Sequence, residues 1–407
     1  MKPALPLFLA LAVLSTPAFA QSPATTQDAP IPTLPEVSTT ASPYAPETDT
    51  AEAPPSTPDA VTPLEATASA SDEVRADEAD ATQPADAPRT SGDADADADT
   101  VTDNDSVRDD GDPPLSRAEV DRLPVRALWN IPYAGLREAR HRLDLYLPRE
   151  PSVFPLPVIV FFHGGDWVAG DKRDAARRLL PFVLSGRYAV VSANYRLADD
   201  ARWPAQIEDA KAVIRWIRAG ERRYGFDPER IGVWGEDAGA QLAMLLGTTG
   251  DIAAVEGDFG RLAPNSRVQA VVSFSGTSDV PGLLIQPGRI DHDMPDSPSS
   301  RLLGQPPSQL ADAARQASPL HWVTADDAPT LHVHGTLDRI VTMAQPEAMD
   351  AALRAVGVES VLVPVLNARH DGFGAVADEH ARVFFERHLH DKPLALPSDE
   401  ILDLQPQ

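Results

Sequence analysis

The clearest pattern in the sequence is an alternation, from about residue 116 onward, between short apolar runs and stretches with helical spacing. Residues 158–162 are continuously apolar, which is typical of a strand covered on both faces. Residues 143–147 alternate between apolar and polar side chains, as an edge strand does. Further apolar runs of strand length lie at 188–191, 231–234, 268–274, 330–334 and 358–365.

Helical patterns separate these runs. Residues 172–186 precede the strand at 188–191, and Pro204 opens a helix whose apolar face is spaced by three, four and three residues. A helix that ends at Gly357 and another over 374–390 follow later strands. Repeated strand–helix units predict a mostly parallel, doubly wound sheet with right-handed crossovers. Residues 276–327 form the one large loop-rich insertion. The apolar face of the helix that begins at Pro204 consists of Ile207, Ala210, Ile214 and Ile217. That of the helix that ends at Gly357 consists of Met349, Leu353 and Val356.

The segment 229–246 has the layout of a nucleophile elbow, in which a strand turns sharply into a helix through Gly-x-X-x-Gly. Gly235 and Gly239 bracket Asp237, and glycine is favoured there because the turn is strained and the backbones approach closely. The central side chain is thereby presented at the top of the sheet, at a helix N-terminus. The sequence predicts that Asp237 occupies the position of the nucleophile.

A second glycine turn follows the buried strand at 158–162, in the segment His163-Gly164-Gly165. Backbone N–H groups in such a turn point inward at a substrate oxygen. Together with the N–H of Ala238, they are predicted to form an oxyanion hole.

Two more candidates follow later strands. Asp338 lies just past the strand at 330–334, where a carboxylate orients an imidazole, and His370 follows the strand at 358–365 as a candidate general base. The order Asp237, Asp338, His370 is that of nucleophile, acid and base in α/β-hydrolases. Sites in parallel sheets form beyond the carboxyl ends of the strands, so these residues are expected to converge.

Residues 120–390 resemble the α/β-hydrolase esterases of the carboxylesterase and hormone-sensitive-lipase type, including feruloyl-esterase-like members. The matching text includes VIVFFHGGDWVAGDK, FDPERIGVWGEDAGAQLAMLLGTTGD, HDMPDSPSSRLLG and LHVHGTLDRIV. The resemblance implies an α/β-hydrolase fold, Asp338 and His370 as acid and base, and Gly164, Gly165 and Ala238 as oxyanion donors. This chain departs from the family at three positions. Asp237 stands for the nucleophilic serine, Ala240 for a common glycine, and Asp166 where a glycine or another small residue is common.

Asp237 leaves three functions open. The first is hydrolysis of small carboxylic esters, through Asp237 itself or an auxiliary water. The second is a silenced hydrolase that binds a ligand. Asp237 and Asp338 would flank His370 and favour its imidazolium form over the neutral base, and the Asp237 carboxylate would partly occupy the oxyanion hole. The third is alkyl transfer to Asp237, as in hydrolases that open epoxides or displace halide. The 276–327 insertion lacks a tyrosine that would serve as leaving-group donor in that chemistry.

The N-terminal third of the chain has a different character. Residues 1–20 combine Lys2, an apolar core and an Ala-x-Ala motif that ends at Ala20, and they predict a secretory signal peptide and an exported protein. Residues 21–115 hold 22 acidic side chains against three arginines, and few large apolar ones, so they are expected to be a disordered acidic linker. The predicted catalytic domain is 116–392, followed by a tail at 393–407.

The composition of the chain excludes several classes of binding partner and of chemical site. The net charge is −26, of which −19 belongs to residues 21–115. An acidic chain without a basic patch is not expected to bind nucleic acid. The absence of cysteine excludes disulfides, thiol nucleophiles and thiolate metal sites. No later segment is long enough to span a bilayer. Asp291, His292 and Asp293 cluster without further ligands at a recognisable spacing, so no metal is predicted. No cofactor is expected, and the predicted partner is a small ester or ester-like ligand.

Overall fold

The computed structural model describes the predicted catalytic domain almost completely. The predicted signal peptide and nearly all of the acidic linker lie outside the described residues, which are 114–135, 138–262, 264–286, 288–396 and 402–403.

One sheet runs through this part of the chain. Its strand order is β1-β2-β4-β3-β5-β6-β7-β8-β9. The pairs β1–β2 and β2–β4 are antiparallel, and the remaining neighbours are parallel. The mostly parallel, doubly wound sheet that the alternation predicted is therefore confirmed. The nine strands among the described residues are β1 (Val125–Pro132), β2 (Arg142–Pro148), β3 (Leu156–Phe162), β4 (Ala189–Ala193), β5 (Phe226–Glu236), β6 (Ala270–Phe274), β7 (Thr330–Gly335), β8 (Ser360–Leu366) and β9 (Leu402–Asp403).

Helices cover both faces of the sheet. The predicted apolar face of the helix after Pro204 is confirmed, since all four of its residues are fully buried. In the described chain the helices are α1 (Arg117–Val120), α2 (Ala176–Leu184), α3 (Ala205–Ala219), α4 (Glu221–Tyr224), α5 (Ala238–Thr248), α6 (Val280–Leu283), α7 (Pro298–Leu303), α8 (Ala311–Gln316), α9 (Ala344–Ala355) and α10 (Gly374–Leu389).

The two largest buried hydrophobic clusters of the described residues lie on opposite faces of the sheet. One contains residues of α3, α5 and α9, and the other contains residues of α2 and α10. The strand β3 contributes to both, because alternate side chains of a strand point to opposite faces. All seven of its residues are buried, as its continuously apolar sequence predicted. No helix in the described part of the chain has the length and apolarity needed to cross a bilayer.

The prediction that residues 143–147 form an edge strand is wrong. Strand β2 lies between β1 and β4, and β1 is the outer strand. The Asp144 side chain is consequently buried, and it is paired with Lys172 at 3.1 Å between Oδ2 and Nζ. The alternation of apolar and polar residues in 143–147 predicted that Asp144 would be exposed to solvent. Asp144 is buried instead, and the positive charge of Lys172 compensates its negative charge.

Two further regions contain elements that the sequence did not predict. The 276–327 stretch contains three short α-helices, α6 to α8, and two short 3-10 helices besides its loops. Within the predicted C-terminal tail, β9 pairs with β8, with Leu402 opposite Val365.

Strand register brings the catalytic candidates to one edge of the sheet. Phe162 lies opposite Gly235, and Glu236 lies opposite Phe274. Further along, Gly335 lies opposite Val365. The turns that follow β3, β5, β7 and β8 therefore leave the sheet side by side.

Candidate active site

The turn after β5 is an elbow in conformation as well as in sequence. Asp237 has φ 48° and ψ −115°, a strained combination for a residue with a side chain. A Cβ on Gly235 would overlap the Gly239 carbonyl, and one on Gly239 would overlap the Phe162 carbonyl. Both bracketing glycines are thus required by close backbone contact. The turn is held in place because the Asp237 N–H donates to the Phe274 carbonyl at 2.9 Å.

The two oxygens of the Asp237 carboxylate face different partners. Oδ2 accepts hydrogen bonds from the backbone N–H groups of Gly165 at 2.9 Å and Asp166 at 2.7 Å. Oδ1 lies 3.5 Å from Nε2 of His370. The side chain is mostly buried, with 14% of its surface exposed. The carboxylate therefore spans the distance between the glycine turn and the imidazole.

His370 is held from its other side by Asp338. Its Nδ1 lies 2.7 Å from Oδ2 of Asp338, and the Ser275 hydroxyl donates to the His370 carbonyl at 2.5 Å. Burial by itself would lower the pKa of His370. Hydrogen bonds to Asp237 and Asp338, together with their charges, outweigh burial and raise that pKa well above its ordinary value. At neutral pH the imidazole is consequently an imidazolium between two carboxylates.

Asp338 is itself anchored by its own turn. Oδ1 accepts the N–H groups of Ile340 at 2.8 Å and Val341 at 3.0 Å. Oδ2 lies 3.1 Å from Nε2 of His334, in addition to its contact with His370. Burial would raise the pKa of Asp338, but the hydrogen bonds from His334 and His370 lower it strongly. Asp338 therefore stays ionised and orients the imidazole.

The amides that donate to the Asp237 carboxylate are those of Gly165 and Asp166. The donors predicted from the sequence, Gly164, Gly165 and Ala238, were expected to serve a substrate oxygen, which is a different acceptor. Gly164 instead packs against the carboxylate, since a Cβ there would lie 3.1 Å from Cβ of Asp237. Ala238 is the first residue of α5 and is fully buried. The roles of Gly164, Gly165 and Ala238 toward a substrate oxygen stay predictions.

The His163 side chain contacts the backbone of the glycine turn. Its ring is buried and stacks on Tyr195, with 4.5 Å between centroids, and Nδ1 lies 2.7 Å from the Gly164 carbonyl. Burial lowers the pKa of His163, so the ring is neutral. The Tyr195 hydroxyl donates to the His163 carbonyl at 2.9 Å. The structure thus places the His163 side chain in the scaffold of the turn, while Asp237 contacts the residues after it.

Asp166 and Trp167 complete this turn, and both adopt positive φ, 53° and 61°. The Trp167 indole N–H donates to Gln241 of α5 at 2.9 Å, and Gln241 donates to the Ala317 carbonyl at 2.6 Å. The hydrogen bond from Trp167 to Gln241 attaches the glycine turn to α5, the helix that follows the elbow. The charge of Asp237, followed by burial, raises the pKa of Asp166 to about 7.

A buried ion-pair network lies behind the elbow. The Arg178 side chain, 8% exposed, contacts Glu236, and its Nε lies 2.9 Å from Oδ1 of Asp378. The guanidinium carbon is 5.6 Å from the ring centroids of Trp234 and Phe274. The network ties the residue before Asp237 to α2 and α10. It was not predicted from the sequence, because single charged residues on two separate helices and a strand carry no local signal.

Two other features are separate from this constellation. A cleft of 540 Å³ is lined by residues of β1, α3 and α4, among them Trp129, Trp216 and Tyr224, and by none of the predicted site residues. No group of three or more His, Asp or Glu side chains in the described chain is arranged to hold a metal ion. His292, from the acidic cluster, is buried with Nδ1 2.8 Å from the Ser299 hydroxyl.

The strand order, the elbow after β5, the acid after β7 and the histidine after β8 together define an α/β-hydrolase. The chain belongs to the BD-FAE family, whose family model matches residues 143–353, slightly more than half of the sequence. This confirms the predicted likeness to carboxylesterase and feruloyl-esterase-like proteins of that fold.

Individual proteins agree with this assignment. Esterase LipQ of Mycobacterium tuberculosis is 30% identical over 266 residues, which is 63% of this chain and 60% of LipQ. Esterase LipC of the same organism is 28% identical over 255 residues, covering 61% of this chain and 62% of LipC. The chain thus spans about 60% of the length of these curated relatives.

Solved structures show the same fold. A truncated carbohydrate esterase from gut microbiota superposes with a TM-score of 0.61 at 28% identity, covering 65% of this chain and 96% of that chain. The bifunctional GH43-CE of Bacteroides eggerthii has a TM-score of 0.60 at 31% identity, covering 65% of this chain and 35% of that one.

Proposed function

We propose that the protein hydrolyses small carboxylic esters, as a carboxylesterase-type enzyme with a variant Asp-His-Asp site. The observation that carries the proposal is the line Asp237–His370–Asp338, with 3.5 Å between Asp237 and His370 and 2.7 Å between His370 and Asp338. The family and the esterase names of its relatives support the same reaction class.

The protonation states determine how such a site would work. A serine enzyme needs a neutral histidine as base, but His370 is an imidazolium at neutral pH. Burial would raise the pKa of Asp237, but its hydrogen bond with His370, the charge of His370 and the two backbone amides lower it, so Asp237 is a carboxylate. These states suit Asp237 as the base and His370 as the acid.

The reaction then proceeds by attack of water. Asp237 takes a proton from water while the water oxygen bonds to the ester carbonyl carbon, and the carbonyl electron pair moves to its oxygen. When the carbonyl re-forms, the bond to the alcohol oxygen breaks and that oxygen takes the proton of His370. The proton on Asp237 passes to neutral His370, which restores both residues and leaves a carboxylic acid and an alcohol.

The test is turnover of a short-chain aryl ester and of its alkyl counterpart by the purified protein, with His370→Ala as the control. We expect slow turnover that falls when His370 is lost. Turnover that survives the loss of His370 unchanged on both substrates would contradict the proposal.

Solvent labelling separates water attack at the acyl carbon of the substrate from alkyl transfer to Asp237, because an alkyl ester formed on Asp237 is hydrolysed by water attack at the Asp237 carboxyl carbon. After a single turnover in heavy-oxygen water, we expect the label in the acid product and none in the peptide containing Asp237. Label in Asp237 would instead indicate a covalent intermediate, on esters or on alkyl substrates.

A second candidate is a silenced hydrolase that binds a ligand. It is favoured by one observation, the occupation of the Gly165 and Asp166 amides by Asp237. Under this alternative the native protein turns over neither ester, whereas Asp237→Ser creates activity by freeing the two amides and supplying a hydroxyl.

We also propose that the protein is exported, with cleavage after Ala20. The Ala-x-Ala motif and the apolar core before it support this. N-terminal sequencing of the protein recovered from fractionated cells should begin at Gln21. A cytoplasmic protein that keeps Met1 would contradict export.

A further inference from the structure

Two consecutive residues at the end of β6 contact two of the turns that carry the candidate catalytic side chains. The Phe274 carbonyl accepts the N–H of Asp237 at 2.9 Å. The next residue, Ser275, donates its hydroxyl to the backbone carbonyl of His370 at 2.5 Å. The end of β6 therefore joins the elbow after β5 to the histidine loop after β8.

Ser275 adopts a backbone conformation that is uncommon for serine. Its φ is 54°, in the left-handed region that favours glycine, and the residue is 2% exposed. Its N–H donates to the Val333 carbonyl of β7 at 3.1 Å, which fixes this backbone on the neighbouring strand. Glycine would adopt the same φ without strain but would supply no hydroxyl. The strained position thus coincides with a buried side-chain contact to the histidine loop.

The loop that carries His370 is attached to the acid turn in a different way. The N–H of Leu337, the residue before Asp338, donates to the Ala368 carbonyl at 2.8 Å, and both groups of that bond belong to the backbone. The contact of 2.7 Å between His370 and Asp338 adds to it. The bond from Ser275 involves a side chain instead, so a substitution there can weaken the attachment at β6 and leave the backbone bond at the acid turn in place.

We propose that Ser275 is a positioning residue, which holds the His370 imidazole within reach of Asp237. This rests on the proposed function, in which the proton taken up by Asp237 passes to His370 at the end of each turnover. Nε2 of His370 lies 3.5 Å from Oδ1 of Asp237, at the outer limit of a hydrogen bond, so a small shift of the loop would break this contact. Because Ser275 is buried, it acts through the His370 backbone and not on the ester.

Loss of the hydroxyl should separate the two contacts of the imidazole. In Ser275→Ala we expect His370 to stay beside Asp338 and to move away from Asp237. A misplacement of about 1 Å lowers catalysis by about 10²-fold, and kcat for an alkyl ester should fall to that extent. KM should change little, because the buried hydroxyl does not face the ester. A native kcat in Ser275→Ala would overturn the proposal.

One measurement follows the imidazole without using activity. The native protein and Ser275→Ala, labelled with ¹⁵N in their histidine rings, are titrated by NMR, and His370→Ala identifies the signals of His370. In Ser275→Ala we expect the ring to lose its proton about one pH unit lower, because the charge of Asp237 is more distant, while the Nδ1 proton shared with Asp338 is retained. An unchanged titration would overturn the proposal. Loss of the Nδ1 signal would do so too, because the whole loop would then have detached.

Two further variants separate the hydroxyl bond from effects on folding. Ser192→Ala is the matched control, because the fully buried Ser192 hydroxyl in β4 also donates to a backbone carbonyl, that of Lys172, at 2.5 Å. This variant should keep the native titration and the native kcat, and losses equal to those of Ser275→Ala would contradict the proposal. Ser275→Gly removes the hydroxyl and relieves the strained φ, so it should fold at least as well as Ser275→Ala and show the same loss of kcat. Recovery of the native kcat and titration in Ser275→Gly would overturn the proposal, because strain and not the hydroxyl bond would then be responsible.

The positioning role and the proposed function fail differently. If the native protein hydrolyses no ester but Ser275→Ala shifts the titration of His370, the hydrolase proposal is wrong and the positioning role stands. If ester hydrolysis depends on His370 but Ser275→Ala changes neither kcat nor the titration, the positioning role is wrong and the hydrolase proposal stands.

Discussion

Oδ1 of Asp237 lies 3.5 Å from Nε2 of His370, and the other oxygen of the same carboxylate accepts the N–H groups of the glycine turn. A serine would place a single hydroxyl at this position and leave the turn amides for the substrate. The carboxylate instead binds both partners at once. Most of what we expect of the site follows from this bridging position.

Replacement of the bridge by a hydroxyl should change the mechanism. In Asp237→Ser the Gly165 and Asp166 amides are released, the pKa of His370 falls because one neighbouring charge is gone, and the introduced hydroxyl becomes a nucleophile activated by a neutral base. We expect fluorophosphonate labelling that the native protein lacks, and aryl-ester turnover raised by about 10²-fold. The double variant Asp237→Ser, His370→Ala is the control and should lose both properties. Equal labelling of the native and variant proteins would contradict the description of the site.

Loss of His370 should depend on the leaving group. An alkoxide needs a proton to depart, whereas an activated phenoxide leaves readily without one. His370→Ala should therefore lower turnover of an alkyl ester by about 10²-fold or more, and that of a nitrophenyl ester much less. Kinetics on the matched pair of esters measure the difference. An equal loss on both substrates would argue that His370 is not the acid.

The raised pKa of Asp166 has a consequence for folding stability. In the unfolded chain this carboxyl ionises near its ordinary value of 3.8, whereas in the folded protein it ionises at about 7. The folded state is therefore destabilised as the pH rises from about 4 to 7, since the unfolded chain loses its proton first. Asp166→Asn should raise the free energy of unfolding at pH 8 by about 1 kcal/mol after solvent screening, with little effect below pH 4.

Urea unfolding of the native and Asn variants at the two pH values would measure this difference. Asp199→Asn, at an exposed ion pair, serves as the control and should show no comparable pH dependence. A stability gain that is the same at pH 4 and pH 8 would rule out a titration of Asp166 as its cause.

The Arg178 network should stabilise the elbow. Arg178→Met removes the cation that Glu236 and Asp378 share. Because the two acids are about 30% exposed, we expect the free energy of unfolding to fall by an amount on the order of 2 kcal/mol, which is less than the cost of breaking a fully buried pair. Arg178→Lys keeps the charge but not the planar fork that contacts both acids, and should recover only part of the loss. Thermal unfolding of the two variants measures the effect. A neutral Arg178→Met would show that packing alone holds the elbow.

Much of the scaffold was predictable because the signals are local. The continuous apolar run that became β3 and the spacing of Ile207 and Ile214 on α3 reflect the period of the element itself. The position of β2 was not predictable in this way. Its alternation resembled that of an edge strand, but β1 covers it, and Lys172 from a distant segment neutralises Asp144.

The sequence by itself determined the order of Asp237, Asp338 and His370 and the edge of the sheet at which they meet, because parallel strands bring their carboxyl ends together. Only the tertiary structure decided which groups surround each carboxylate. It assigned the second amide at Asp237 to Asp166 and gave Asp338 a second imidazole from His334. Such contacts depend on how separate turns pack in space, and so they have no periodicity along the chain.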